Sequence, residues 1–321
     1  MTILVTGATG FVGWHLVNRL LADGEAVRIL VPPDVTVPAG WQGRVDVAVG
    51  DLTVRESLPP AVNGASVVYH LAAEIRNAAR FTAVNVDGTR ALLSACALRG
   101  PIRLIHMSSV GVIGARRAGQ YNETSACHPR QPYEISKWQS EQIALEHGRR
   151  GPLRVTVARP TNIFGARLVG PNDSLLSWLR AIKHHRFRFI GSGDTVANYV
   201  YVEDVAASCV YLAHADDTVG ETYHVADPCT IRGLVAYAAQ LMGAPLPSNV
   251  PLTLAYAAAA GLELAGRVGR FAPPLTFNRV QALTSHRLFS GDRLQCRFRL
   301  PVGWREGLRR TIEAYTQHGL L

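Results

Sequence analysis

The stretch TILVTGATGFVGWHLVNRLLADGEAVRILV, residues 2–31, decides the fold. A short apolar run leads into a turn with Gly7, Gly10 and Gly13, a helical pattern follows up to Gly24, and a second apolar run ends the stretch. A glycine-rich turn between a strand and a helix brings backbone N–H groups and the helix N-terminus close to a pyrophosphate. The stretch therefore predicts a dinucleotide-binding β-α-β unit whose glycines have a GxxGxxG spacing.

The end of the second strand bears on the choice between NAD and NADP. An acidic residue about 20 residues beyond the glycines would bind the ribose 2′-hydroxyl and select NAD. The strand ends in Val31-Pro32-Pro33-Asp34, so two prolines separate Asp34 from it, and no arginine follows there for a 2′-phosphate. The choice between NAD and NADP stays open, and the missing acid slightly favours NADP.

Further apolar runs extend the strand pattern, with helical patterns between them. These runs span residues 46–52, 65–73, 101–109 and 153–158. Asp51 lies at the carboxyl end of the first of them, where an open α/β sheet binds ligands. The alternation predicts an α/β fold of the Rossmann type, a doubly wound parallel sheet covered by helices on both faces.

After residue 160 the alternation becomes less regular. Helices are predicted at residues 175–185 and 203–214, a strand at 187–193 and a return to the sheet at 222–227. The remainder is mainly helical. We expect two interleaved lobes: an NAD(P)-binding domain of residues 1–162 plus about 194–227, and a smaller, mainly helical substrate-binding lobe of about 163–193 and 228–321.

Tyr133 and Lys137 lie four positions apart in a predicted helix, so their side chains share one face. The chain has 33 basic residues, and only Lys137 and Lys183 among them are lysines. A lysine in so arginine-rich a chain suggests a site that needs a compact ammonium on a flexible stem. The pattern alone also fits an ordinary exposed helix residue.

Composition narrows the function classes. With 321 residues, 48% of them hydrophobic and 18% charged, the chain is predicted to be globular. A net charge of +9 comes from dispersed arginines without long basic runs, so no nucleic-acid partner is expected. Five cysteines without a CxxC pair indicate reduced thiols and no metal site. No signal peptide is evident, and the apolar stretch 252–264 is shorter than the roughly 20 residues of a membrane span. We expect a soluble, cytoplasmic protein.

Eight motifs stand in the order typical of one superfamily. They are TGATGFVG at 6–13, GDL at 50–52, HLAA at 70–73, NVDGT at 85–89, SSVGVIG at 108–114, YEISK at 133–137, RPTNIFG at 159–165 and NYVYVEDVA at 198–206. In these motifs the chain resembles the extended short-chain dehydrogenase/reductases, the NAD-dependent epimerase/dehydratase family. Its pattern is most similar to 3β-hydroxysteroid dehydrogenase-like and dihydroflavonol reductase-like members.

The resemblance implies a set of site residues. Tyr133 would be the general acid/base, Ser109 would hydrogen-bond the substrate oxygen with Ser108 as a competitor, and Lys137 would hold the nicotinamide ribose. A neighbouring ammonium is also expected to lower the pKa of Tyr133. Cofactor contacts would come from Gly7, Thr9, Gly10, Phe11, Val12, Gly13, Asp51, Leu52, Leu71, Ala72, Ala73, Asn85, Ser108, Tyr133, Lys137, Pro160, Asn162 and Ile163. Relatives commonly dimerise through the YxxxK helix and the helix before it, which implies a homodimer.

The substrate is harder to predict. Nucleotide-sugar enzymes of the family usually carry a diphosphate-binding arginine where this chain has Ala197, and their later arginine motif is not recognisable in residues 274–294. Candidate substrate contacts are Ser109, Asn162 and Tyr199. Residues 252–266 are expected either to line an apolar pocket or to form an ordinary Ala-rich helix.

Three functions follow from this interpretation. The first is an NAD(P)-dependent oxidoreductase that interconverts a secondary alcohol and a ketone on a moderately apolar small molecule. The second is a nucleotide-sugar epimerase or dehydratase that uses the same triad and recycles its NAD. The third is a cofactor-binding regulator without turnover, against which the intact set of Ser109, Tyr133 and Lys137 argues.

Overall fold

The secondary structure of this computed structural model is described for residues 2–114, 117–167, 174–269, 271, 273 and 275–321. In chain order the strands are β1 (Thr2–Thr6), β2 (Ala26–Val31), β3 (Asp46–Val49), β4 (Ala65–His70), β5 (Arg103–Met107), β6 (Gly119–Tyr121), β7 (Arg154–Pro160), β8 (Asn162–Phe164), β9 (Phe189–Ile190), β10 (Val196–Ala197), β11 (Tyr199–Tyr201), β12 (Thr222–Val225), β13 (Cys229–Thr230), β14 (Asn249–Val250) and β15 (Arg287–Phe289). The α-helices are α1 (Phe11–Ala22), α2 (Leu58–Val62), α3 (Thr89–Ala97), α4 (Pro132–Arg150), α5 (Ser174–Lys183), α6 (Val202–His214), α7 (Ile231–Leu241), α8 (Leu252–Gly269), α9 (Phe277–Thr284), α10 (Asp292–Gln295) and α11 (Gly303–Gln317).

Seven of these strands pair in parallel as the central sheet, in the order β12-β7-β5-β4-β1-β2-β3. The strand order reverses between β1 and β4, which is the point where doubly wound sheets bind their ligands. The predicted Rossmann-type parallel sheet is therefore confirmed.

Both faces of the sheet are buried. Val5 points into an apolar cluster with Leu16 of α1 and Val205 of α6. Leu4, its neighbour, points into a second cluster with Leu92 of α3 and Ala144 of α4. Because successive residues of a strand face opposite sides, a strand buried on both faces is apolar along its centre, as Ile3, Leu4 and Val5 of β1 are.

A third apolar cluster lies outside the central sheet. It joins Leu179 of α5, Leu234 of α7 and Leu308 of α11 to Phe164 of β8 and Tyr201 of β11. This cluster is consistent with the interleaved substrate-binding lobe, whose boundaries remain our proposal. Of its predicted range 163–193, residues 168–173 lie outside the described residues.

One local feature differs from the sequence-based expectation. Residues 82–88 form a π-helical turn before α3, within the helical pattern that follows the apolar run 65–73. The turn carries Asn85 into the interior, where its amide nitrogen donates to the Glu74 carbonyl at 2.9 Å and to the Ser136 hydroxyl at 2.9 Å. A π-turn is a known feature of functional regions, because it redirects a side chain within a helix.

Candidate active site

The glycine turn after β1 leaves no room for side chains. Gly7 has φ +70°, and a Cβ there would lie 2.6 Å from the backbone nitrogen of Ala72. A Cβ at Gly13 would lie 2.0 Å from the Gly7 carbonyl oxygen. Gly10 caps α1 without a side-chain hydrogen bond. The first N–H groups of α1 are therefore available to an anion, and this arrangement fits the pyrophosphate of a dinucleotide.

A groove of three adjoining cavities runs across the carboxyl ends of the strands. The first cavity, of about 290 Å³, is lined by Thr6, Gly7, Thr9, Gly10, Leu30, Pro32, Val35, Gly50, Asp51, Leu52, Ala72, Ala73, Glu74, Arg80 and Val84. The middle cavity, of about 360 Å³, is lined by Gly7, Gly10, Phe11, Val12, Gly13, Leu71, Ala73, Ile75, Met107, Ser108, Ser109, Tyr133, Lys137, Pro160, Thr161, Asn162 and Ile163. The outer cavity, of about 370 Å³, is lined by Ser109, Val110, Gly111, Gly114, Arg130, Gln131, Glu134, Thr161, Asn162, Val196, Asn198, Ser285, Arg287 and Phe289.

Shared lining residues connect the three cavities. The first and middle cavities share the glycine turn, and the middle and outer cavities share Ser109, Thr161 and Asn162. An elongated ligand in the first two cavities would therefore end beside Ser109. A second ligand in the outer cavity would meet it there.

Helix α4 carries Tyr133 and Lys137 into the middle cavity. Its N-terminus is fixed by a capping box between Gln131 and Glu134, with Pro132 in the first turn. Burial raises the pKa of Tyr133 to about 12. Burial also lowers the pKa of Lys137 to about 8, and Glu141 acts in the opposite direction.

The pKa of Tyr133 thus moves in the direction opposite to the sequence-based expectation. A neighbouring ammonium was expected to lower it, but among the protein's own groups the loss of hydration has the larger effect. Spacing along a helix shows which side chains are neighbours. It does not show how deeply they are buried.

The two serines after β5 differ in their hydrogen bonds. The Ser109 hydroxyl accepts from the Gly111 backbone N–H at 3.1 Å and faces both the middle and outer cavities. The buried Ser108 hydroxyl has no hydrogen-bond partner among the described residues. Ser108 lines the middle cavity and neither of the other two. A buried hydroxyl without a partner is costly unless a ligand satisfies it, so Ser108 fits a cofactor contact and Ser109 a substrate contact.

A buried ion pair lies one turn beyond Lys137. Glu141 is 0% exposed and Arg159, at the end of β7, is 4% exposed. The Arg159 Nη2–Glu141 Oε1 distance is 2.5 Å and the Nε–Oε2 distance is 3.0 Å, so the pair is bidentate. It ties α4 to β7, immediately before Pro160 of the middle cavity.

Two buried histidines also lie near Lys137. His70 contacts the hydroxyls of Thr6 at 2.8 Å and Thr89 at 2.9 Å, and its pKa is lowered to about 3 by burial and by Lys137. Burial and Lys137 also hold the pKa of His106 well below its usual value. Both rings are therefore neutral at neutral pH.

The NAD dependent epimerase/dehydratase family matches residues 3–226 of the chain. The chain belongs to this family. The resemblance drawn from the eight motifs is confirmed, and the chain is an enzyme of a family of NAD-dependent dehydrogenases, epimerases and dehydratases.

Similar proteins within the family have diverse functions. Sterol demethylase protein B of Methylococcus capsulatus is 37% identical over 260 residues, which cover 77% of this chain and 76% of that protein. The 3β-hydroxysteroid-dehydrogenase/decarboxylase isoform 2 of Arabidopsis thaliana is 29% identical over 98% of this chain, and the chain spans only 62% of that protein's length. The solved UDP-glucose 4-epimerase of Thermus thermophilus in complex with NAD has a TM-score of 0.71 and 23% identity, covering 98% of this chain and 99% of that one. The similarity to this solved structure is evidence for the fold alone.

Most cofactor residues proposed for this family member line the first or middle cavity. Asn85 does not: it is buried, and its side-chain oxygen accepts from the Glu74 backbone N–H at 2.7 Å, which shapes the segment after β4. Tyr199 does not line any of the three cavities either. Its ring packs against Phe164 and Trp178 in the third apolar cluster.

Several lining residues of the cavities were not predicted from the sequence. Helix α8, expected either to line an apolar pocket or to be an ordinary helix, contributes none of the described lining residues. Arg80 lines the first cavity, and Arg130 and Arg287 line the outer one. The alternation of Ser285, Arg287 and Phe289 along one strand face is the sequence signal that could have indicated Arg287.

Two further properties concern the described residues alone. None of their helices is both long and apolar enough to cross a membrane. They also contain no cluster of three or more histidine, cysteine or acidic side chains suited to a metal ion.

Proposed function

We propose that this family member is an NAD(P)-dependent oxidoreductase that interconverts a secondary alcohol and a ketone on a moderately apolar small molecule. The observation that supports it is the junction of two cavities at Ser109, with Tyr133 and Lys137 in the cavity that continues to the glycine turn. Proton-handling groups at the meeting point of a cofactor groove and a second cavity suit hydride transfer.

In the proposed reaction each side chain has a defined role. The nicotinamide, when bound, accepts or supplies the hydride. During oxidation the Tyr133 hydroxyl oxygen takes the proton of the substrate hydroxyl, and during reduction it returns that proton. Ser109 hydrogen-bonds the substrate oxygen while charge develops on it. Lys137, when protonated, stabilises the phenolate form of Tyr133 and holds the nicotinamide ribose.

The cofactor preference is part of the proposal. The family is NAD-dependent, yet the first cavity presents Pro32 and Val35 at the end of β2 where NAD enzymes place an acid. The Asp51 carboxylate accepts from the backbone N–H and the hydroxyl of Thr53, both at 2.7 Å. We therefore propose a slight preference for NADP over NAD. The measured dissociation constants of the two nucleotides test this preference.

The names of the relatives bear on the substrate. The sterol and 3β-hydroxysteroid relatives favour a steroid-like alcohol. A nucleotide-sugar epimerase or dehydratase is the second candidate, because the polar lining of the outer cavity, with two arginines, also suits a diphosphate. We also propose a homodimer through α4 and α3, which light scattering on the purified protein tests.

Replacement of Tyr133 by phenylalanine tests the mechanism. Tyr133→Phe removes only the hydroxyl, so we expect kcat to fall by about 100-fold or more, while the dissociation constant of the cofactor stays within about twofold. Oxidation of a 3β-hydroxysteroid is followed through the absorbance of the reduced nicotinamide. An epimerase would instead give product without net reduction of the nucleotide.

The matched control is Tyr211→Phe, since Tyr211 stacks on Phe298 away from the groove. It should leave turnover unchanged. Wild-type turnover in Tyr133→Phe would contradict the proposed mechanism.

A further inference from the structure

Helix α8 has an apolar surface on the side that faces away from the protein. Its inner side packs through Ala255 and Ala259 against Val280 of α9, whereas Leu254 and Leu264 are 59% and 64% exposed. The exposed positions of residues 252–265 carry no charge, and we call them the apolar face of α8: Leu252, Thr253, Leu254, Ala257, Ala258, Ala260, Gly261, Leu264 and Ala265. A surface helix normally presents polar side chains to water, so a helix that is apolar on its exposed side as well indicates a partner.

The single acidic residue of α8 does not interrupt the apolar face. Glu263 is half-buried, and its Oε1 accepts from the Phe277 backbone N–H at the start of α9, at 2.9 Å. The positive end of α9 therefore compensates this carboxylate. Residues 251–290 contain four arginines and no acidic residue besides Glu263, so this segment has a net positive charge.

A second cationic stretch adjoins α8. Lys183, Arg186 and Arg188 are exposed, and no acidic residue occurs between positions 183 and 193. The Arg188 guanidinium donates to two backbone carbonyl oxygens of residues 183–188, both at 2.7 Å, and these neutral oxygens do not cancel its charge. Residues 183–188, the cationic segment, lead into β9, which pairs with β14 directly before α8. Both of these strands pack against the inner side of α8, so the cationic segment and the apolar face belong to one substructure.

We propose that the apolar face of α8 docks on the surface of a lipid bilayer that contains anionic lipids, with the cationic segment at the lipid headgroups. Leucine and alanine side chains enter the boundary between headgroups and acyl chains, and neighbouring lysines and arginines are attracted to anionic headgroups. Because its inner side is packed against the protein, the helix lies along the bilayer surface. This docking goes beyond the proposed function and does not depend on it.

A second copy of the chain fits this face less well. From Leu254 to Leu264 the helix rises about 15 Å, and at a width of about 10 Å this part of the apolar face covers roughly 150 Å². A stable interface buries about 800 Å² on each partner. A two-fold dimer also uses the same surface of both copies, so it would bring two cationic segments towards each other. An anionic bilayer attracts these charges instead, and charge complementarity therefore favours it.

Flotation of the full chain with lipid vesicles tests the docking. The probes are vesicles of phosphatidylcholine alone and vesicles of phosphatidylcholine mixed with phosphatidylglycerol. The leucine variant, Leu254→Glu with Leu264→Glu, puts two carboxylates on the apolar face. The cation variant, Lys183→Gln with Arg186→Gln, removes two charges of the cationic segment. Two control variants make the same kinds of change at exposed positions elsewhere: Val49→Glu with Val54→Glu, and Arg99→Gln with Arg299→Gln.

We expect the wild type to bind the vesicles with phosphatidylglycerol more tightly than those without it, and added salt to weaken that binding. The leucine variant should bind the anionic vesicles about tenfold more weakly or worse, because its carboxylates would have to leave water beside anionic headgroups. The cation variant should bind them about 25-fold more weakly, at about fivefold for each lost cation. Both control variants should bind like the wild type. A thermal melting temperature within about 2 °C of the wild type shows that each variant is folded.

Two results would overturn the docking. One is the absence of wild-type binding to either kind of vesicle. The other is binding of the anionic vesicles by the leucine variant that is as tight as that of the wild type. If the wild type ignores vesicles and the leucine variant loses self-association in light scattering, the apolar face is a contact between copies and the proposal is wrong. Tyr133→Phe should bind vesicles like the wild type, so the docking and the catalytic mechanism fail independently.

Discussion

The charged side chains at the two ends of the middle cavity differ in how deeply they are buried. Behind Lys137, Glu141 and Arg159 are buried and bind each other through two hydrogen bonds. In the outer cavity, the Arg130 side chain is exposed at the surface. A buried charge has to be neutralised within the protein, whereas an exposed one adds little to stability and can serve recognition. The buried inner charges therefore fix the geometry of the fold, whereas an exposed charge such as that of Arg130 contributes little to its stability.

Removal of one partner of the inner pair is expected to have the largest effect. Glu141→Gln leaves Arg159 charged and buried, so we expect the free energy of unfolding to fall by about 3–5 kcal/mol. Glu146→Gln is the matched control on the same helix, because Glu146 pairs with the largely exposed Arg150. Its expected cost is about 0–1 kcal/mol. Urea unfolding measures the free energy of unfolding of both variants. Equal losses in the two would show that the buried and the exposed ion pair contribute alike to stability.

Lys137→Arg is expected to have the second largest effect. The substitution keeps the charge, but a buried site shaped for an ammonium group does not accept a planar guanidinium. We expect kcat/KM to fall about 100-fold, which corresponds to about 2.7 kcal/mol of transition-state stabilisation. The control is Lys183→Arg, the other lysine of the chain, which is exposed on α5. Equal rates for the two variants would show that Lys137 has no special role.

The two ends of the groove also differ in how far they could be predicted from the sequence. The glycine turn and the Tyr133–Lys137 spacing are local patterns, and each lies within one short stretch that folds as one element. The fold class followed from apolar runs that are buried on both faces. These features need no knowledge of distant contacts, which is why the cofactor end of the groove was predictable.

Apart from Ser109 and Asn162, which were predicted as substrate contacts, the lining of the outer cavity was not predictable, for the opposite reason. Its lining comes from segments that lie far apart in the chain, around residues 109–114, 130–134, 161–162, 196–198 and 285–289. Pairing of β15 with β6 brings Arg287 to the site across more than half of the sequence. The direction of the Tyr133 pKa was missed because burial depends on the same tertiary contacts.

The smallest expected effect is on the pH dependence of stability, through His70 at the inner end of the middle cavity. The pKa of His70 is lowered from its usual value of 6.5 to about 3, so the unfolded chain takes up a proton that the folded protein does not. Stability is therefore lost as the pH falls from about 6.5 towards 3. For His70 alone, the free energy of unfolding should be about 2 kcal/mol lower at pH 5 than at pH 7. Urea unfolding at the two pH values measures it. His70→Gln should reduce this difference between the two pH values. The control His318→Gln, at an exposed position, should leave it unchanged. An unchanged difference in His70→Gln would show that His70 is not the group that titrates.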